Sequence, residues 1–117
     1  MANYSKTNVG QEPRVELHDT LGLTGAEISF NALPAGAGVP FVHAHKENEE
    51  IYIITNGSGK AVIDGEEIML NANDVVRIAP AADRQFSASE TEGISYICIQ
   101  VKENSLTNYT MTDAIIK

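Results

Sequence analysis

Short apolar or alternating stretches recur along this chain, each ended by glycine, proline, asparagine or aspartate. Arg14 to His18 alternates weakly and suits an edge strand. Ala26 to Leu33 reads as a strand that ends at the loop Pro34-Ala35-Gly36-Ala37-Gly38. Phe41 to His45 and Glu49 to Thr55 are the next two strands, and Asn56-Gly57 begins a turn. Glu50, Tyr52 and Ile54 share one face of the second of these, and Glu49, Ile51 and Ile53 the other. Both faces are largely apolar, so this strand is expected to be covered on both sides. Lys60 to Ile63 and Glu66 to Leu70 flank Asp64-Gly65, a strong signal for a two-residue hairpin. Val75 to Ile78 is stopped by Pro80, and Gln85 to Ala88 and Ile94 to Val101 complete the set. Many short strands with no convincing helix predict an all-β sandwich or barrel. Residues 1–12 are polar and read as a loose arm. Leu106 to Lys117 carries Tyr109, Met111, Ile115 and Ile116, too apolar for a free tail. That segment is expected to pack on the barrel or on a neighbouring subunit.

Composition narrows the classes. A chain of 117 residues is one domain, large enough to bury a core. A net charge of -8 argues against nucleic acid and against anionic membrane surfaces. No apolar run approaches the length that spans a bilayer. The first residues lack the apolar core of a secretory signal. One cysteine, Cys98, excludes an intramolecular disulfide framework. The expected compartment is the cytoplasm.

The candidate chemistry lies at His43-Ala44-His45, followed by acids at Glu49 and Glu50. Two histidines at i and i+2 on a strand face the same way, with Cα atoms about 6.7 Å apart. Lys46-Glu47-Asn48 then returns the chain with a carboxylate. Two imidazole nitrogens and one carboxylate can hold a divalent transition metal and leave other positions open. A buried carboxylate is costly unless paired or metal-bound, and alternation alone does not choose between Glu49 and Glu50. Phe41 shares the face of His43 and would wall the same cavity. Tyr52 shares the face of Glu50, as a pocket residue or as a core aromatic. His18 has no partner at ligand spacing and reads as structural. Cys98 lies in an apolar strand and reads as a buried, inert thiol. Arg77 and Arg84 read as surface residues, with anchoring of an anionic ligand as the alternative.

These residues resemble the first motif of the cupin superfamily, Gly-x5-His-x-His-x3–4-Glu-x6-Gly. His43, His45, Glu50 and Gly57 fit its spacing, while the leading glycine is off register at Gly36 or Gly38. The second motif, Gly-x5-Pro-x-Gly-x2-His-x3-Asn, is degenerate here. Pro80 aligns, Asn73 and Ala82 replace glycines, Gln85 stands for the histidine and Ser89 for the asparagine. The resemblance covers residues 24–101. It implies a jelly-roll or double-stranded β-helix barrel core over 24–101, with an arm at 1–12 and a packing segment at 102–117. It selects Glu50 as the third metal ligand beside His43 and His45. Gln85 becomes either a weaker fourth ligand or a partner for a metal-bound ligand. The implied cofactor is a divalent Zn, Fe, Mn, Ni or Co ion, and the implied partner is a small molecule bound near Phe41, Tyr52 and Gln85. The implied reactions are those of a metal-dependent isomerase, lyase or dioxygenase acting on a small oxygenated compound such as a sugar or enolic acid. The alternatives are a non-enzymatic binding or sensing module, and a structural remnant with little metal affinity. The terminal segments and the sheet edges, together with the habit of similar small cupins, predict a homodimer.

Overall fold

The computed structural model describes residues 2–117; residue 1 of the expected arm lies outside them. Seven strands and one helical turn follow in order: β1 (Arg14–Glu16), α1 (His18–Leu21), β2 (Glu27–Leu33), β3 (Asn48–Ile63), β4 (Glu66–Asn71), β5 (Val75–Ile78), β6 (Arg84–Ala88) and β7 (Ile94–Lys102). Every pairing is antiparallel. One wall runs β1-β2-β7-β3-β5, and the other sets β3 between β4 and β6. The fold is the expected all-β jelly roll.

β3 serves both walls. Residues Asn48 to Gly57 pair with β7, and Ser58 to Ile63 pair with β4. Between them Ile54 faces Tyr96 and Asn56 faces Ser95, so Thr55 is the extra residue of a β-bulge. Gly57 follows at φ 77°, and a Cβ there would meet the Gly93 carbonyl oxygen at 1.8 Å. Only glycine tolerates both demands. Asn56-Gly57 is therefore a bend inside one strand and not a turn between two. The dipeptide offers positive φ to either use, and the close backbone of β7 decides. At Asp64-Gly65 the expected hairpin forms, with φ of 49° and 83°.

Two other elements differ from expectation. Phe41 to His45 is not a regular strand: it meets β6 at the single isolated bridge His43–Arg84, and Gly38, just before it, bridges Ser87. The strand from Arg14 stops at Glu16, because the Glu27 carboxylate accepts the N–H groups of Leu17 and His18 and starts a helical turn. Gly22, at φ 67°, ends that turn.

The core lies between the walls. Alternate residues of β3, β6 and β7 point inward: Tyr52 and Ile54, Phe86 and Ala88, Ile94 and Tyr96. Tyr52 and Tyr96 both pack on Phe86, with ring centroids 4.2 and 5.5 Å away. Full burial of a side chain such as Ile54 stabilises by about 1.5–3 kcal/mol. The outer face is different. Ile51 and Ile53 are only half-buried, as are Ile97, Ile99 and Phe30 on the same side, and Val75 is exposed. The expected cover on both sides of this strand is thus complete on the inner side only. The C-terminal segment does not supply the rest. Leu106, Tyr109, Met111, Ile115 and Ile116 are all exposed and none packs on the barrel. Glu103 is still tied to the barrel, its N–H to the Glu47 carbonyl and its carboxylate to Arg77; beyond it the chain makes only local turn bonds, such as Asp113 N–H to the Thr110 carbonyl.

Candidate metal site

The loop between β5 and β6 fixes both histidines through their backbones. His43 and Arg84 exchange N–H to carbonyl bonds of 3.1 and 2.9 Å, and the His45 N–H donates to the Pro80 carbonyl at 2.8 Å. Glu50 enters from the start of β3 on the inward face with Tyr52 and Ile54, and is 4% exposed. Glu49, one residue earlier, points outward to Arg77 at 2.7 Å. The pleat thus separates the two glutamates that alternation left open. His45 Nε2 lies 3.2 Å from Glu50 Oε2, and His43 Nε2 lies 3.9 Å from Oε1. One donor atom from each of the three residues falls within 4.8 Å of the others, and among the described residues this is the group placed to hold a metal. His43 Nδ1 and His45 Nε2 are buried without a hydrogen-bond partner. For His45 the 3.2 Å approach to Glu50 is an ion-pair distance without hydrogen-bond alignment.

Glu50 accepts hydrogen bonds from three buried side chains. Its Oε1 accepts from Arg84 Nη1 at 2.7 Å and from the Tyr52 hydroxyl at 2.8 Å. Its Oε2 accepts from the Cys98 thiol at 3.3 Å. Burial alone would raise its carboxyl, but the bonds from Arg84, Tyr52 and Cys98, with His45 nearby, outweigh burial and hold it below the usual carboxylate range. Burial lowers the His43 imidazole below 6.5 against the pull of Glu50, which leaves it neutral at pH 7, the form that ligates metals. Burial drives the Tyr52 phenol far above 10, and burial with the Glu50 charge pushes the Cys98 thiol up to about 12. Both stay protonated as donors to Glu50, so Cys98 is buried and unreactive, as its strand suggested.

A cavity of about 740 Å³ opens over the three ligands and includes Phe41, Tyr52 and Gln85 in its lining. Phe41, 58% exposed, stands at the mouth with its ring edge-on to His43 at 5.8 Å. Gln85 lines the wall, and its amide nitrogen donates to the Val39 carbonyl at 2.9 Å. Its neighbour on β6, Arg84, is the residue that reaches Glu50. Arg77 is outside, held by Glu49 and Glu103, and His18 pairs with Asp19 at the surface. Arg84 is the functional residue that reading it as a surface cation missed: it is 0% exposed. A signal was present. Arg84, Phe86 and Ala88 alternate, so the arginine shares the apolar face of β6, and an arginine buried there requires a buried carboxylate. Arg14, on the opposite wall of the cavity, was also unmarked in the sequence.

Two imidazoles and one carboxylate suit a divalent transition ion, with positions left for oxygen donors. No helix among the described residues is long and apolar enough to cross a membrane.

A family model described as "Cupin domain" matches residues 30–100. No curated protein matches the chain at a significant level. Among solved structures, a cupin protein from Bacteroides fragilis is 60% identical, with a TM-score of 0.97 over 100% of this chain and 99% of that one. A predicted oxalate decarboxylase from Thermotoga maritima is 21% identical, with a TM-score of 0.60 over 64% of each chain. A proposed sugar phosphate isomerase from Acidithiobacillus ferrooxidans is 22% identical, with a TM-score of 0.64 over 76% of this chain and 59% of that one. The last two share the fold.

Proposed function

The chain belongs to the cupin superfamily, and on that premise we propose that it holds one divalent transition metal through His43, His45 and Glu50 and takes a small oxygenated molecule into the adjoining cavity. One observation carries this reading: the buried, unpartnered His45 Nε2 lies 3.2 Å from one oxygen of a carboxylate held below its usual range, and His43 Nε2 lies 3.9 Å from the other. An unpaired buried polar atom costs roughly 1–3 kcal/mol, so such an arrangement is retained for something it binds. The donor set therefore fits the metal. Zn, Fe, Mn, Ni and Co all accept it.

When bound, the ion supplies Lewis acidity and a place for an oxygen donor of the ligand. The chain's own residues do the rest. Arg84 and Tyr52 orient Glu50, and neutral His43 offers a nitrogen lone pair. Phe41 narrows the mouth, Phe86 and Tyr96 give the cavity apolar walls, and the Gln85 amide serves the ligand or the fourth metal position. Isomerase, lyase and dioxygenase reactions on a sugar or enolic acid are open to such a centre. A second reading, non-enzymatic binding or sensing, draws support from Tyr52 and Cys98. Both are held protonated well above neutral pH, which leaves the cavity short of groups for general acid–base work.

Elemental analysis of protein purified without chelators tests the metal: near one ion per chain is expected. A folded His43→Ala/His45→Ala variant that keeps its full metal content would overturn the assignment.

A homodimer completes the proposal. The half-buried apolar outer face around Ile51, Ile53, Ile97 and Ile99, and the exposed C-terminal apolar residues, give a second copy something to cover. Light scattering at micromolar concentration checks it, and a mass near 12.6 kDa would refute it.

A further inference from the structure

Arg84 occupies a socket built for a cation. Its Nη1 donates to Glu50, its Nη2 reaches the carbonyls of Ala79, Pro80 and Ala82 at 2.6, 2.9 and 2.7 Å, and its Nε donates to Ala82 at 3.0 Å. Three of the five residues before it thus set backbone oxygens around its guanidinium. Pro80 also accepts the His45 N–H, so the same loop holds a metal-site histidine and the cation. The metal-binding carboxylate of the reading above already has a full positive charge against one of its oxygens.

We propose that Arg84 is a resident counter-cation for Glu50 that stands in for the metal. It commits Oε1, leaves Oε2 as the oxygen facing His45, keeps the site formed when no metal is bound, and weakens metal binding by charge competition. It acts through Glu50 and is a positioning residue. The inference rests on the metal reading, and it concerns what sets the affinity of that site.

The physical reasoning has two sides. A buried carboxylate with no cation takes up a proton or forces its surroundings open. Arg84 removes that need, and its 2.7 Å bond holds metal-free Glu50 in place. The same charge, one carboxylate away from the ion, repels it and draws off ligand charge in a water-poor site. Loss of Arg84 would remove the repulsion and also one tether on Glu50. The Tyr52 hydroxyl still holds Oε1, so the orientation of Glu50 outlasts the charge and the repulsion decides the sign.

The test compares wild type, Arg84→Gln and Arg84→Lys, using Zn2+ in chelator competition and thermal unfolding with chelator or with excess Zn2+. Glutamine keeps a donor without the charge; lysine keeps the charge without the fork. With the repulsion removed, Arg84→Gln is expected to bind Zn2+ about ten-fold more tightly than wild type, and Arg84→Lys to stay within about three-fold. Metal-free Arg84→Gln should melt below wild type, with Zn2+ restoring most of the loss. A variant that folds only with Zn2+ present shows the same exchange of cations. An unchanged or weaker affinity in Arg84→Gln overturns the proposal. So does equal destabilisation of both variants with and without Zn2+, or failure of Arg84→Gln to fold even with Zn2+, since Arg84 is then a structural pillar alone. Absence of Zn2+ binding in wild type and Arg84→Gln alike would instead end the metal reading itself.

Discussion

Glu49 and Glu50 are neighbours in sequence, and each meets an arginine nitrogen at 2.7 Å. The pleat sends one outward and one inward. The Glu49–Arg77 pair has side chains 23% and 52% exposed, and water screens it. The Glu50–Arg84 pair is 5% and 0% exposed, and both partners draw their hydrogen bonds from protein groups. Equal distances thus carry unequal consequences. The outer pair decorates a surface; the inner pair sets the charge of the proposed binding site.

Breaking the inner pair should give the largest effect. Glu50→Ala leaves Arg84 charged and uncompensated, and a loss of about 3–5 kcal/mol is expected in urea unfolding with chelator present. Glu49→Ala should leave the midpoint close to wild type. A loss for Glu49→Ala equal to that for Glu50→Ala would erase the contrast.

Removing both inner charges sharpens it. Glu50→Leu/Arg84→Met replaces a buried pair with apolar side chains, and should lie within about 2 kcal/mol of wild type while metal binding is abolished. Additive losses from the two single changes would mean that the pair is not energetically coupled.

pH tests the inner site next. The His43 and Glu50 shifts are both downward, so the unfolded chain binds more protons and stability rises with pH. The His43 share is full above 6.5 and is lost as pH falls through its lower folded value. The Glu50 share is full above 4.5 and is lost as pH falls through its depressed folded value. Metal-free wild type should show both losses in a stability-against-pH curve, and Glu50→Gln should keep the His43 loss and lack the more acidic one.

The smallest effect belongs to the outer arginine. Arg77→Ala should change the unfolding midpoint little, and 0.5 M salt, on the order of a few ångströms of Debye length, should remove the difference. A large salt-independent loss would show that this pair is not screened.

Local patterns made much of this molecule legible. Asp64-Gly65 needs two positive φ angles and forms its hairpin, and the His43, His45 and Glu50 spacing brings three donors together. Patterns with two physical outcomes were misread. Asn56-Gly57 suits a turn or a bulge, and only the approach of Gly93 selects the bulge. Phe41 to His45 alternates like a strand, but its hydrogen bonds go to Arg84 and Pro80 at separate points. Arg84 was hardest, because its burial depends on a carboxylate 34 residues away. A charge looks like surface until its partner is known.

β3 crosses from one wall to the other without ending, turning on Thr55 and Gly57. The molecule therefore has no seam along which it can be divided. A cut near Gly57 would separate Glu50 from the Asp64-Gly65 hairpin and leave each wall with an orphaned edge, so neither fragment should fold alone by circular dichroism. Intact, the two walls should melt as one unit, with calorimetric and van't Hoff enthalpies in agreement. The strand that carries the proposed metal-binding carboxylate is also the strand that makes the domain indivisible.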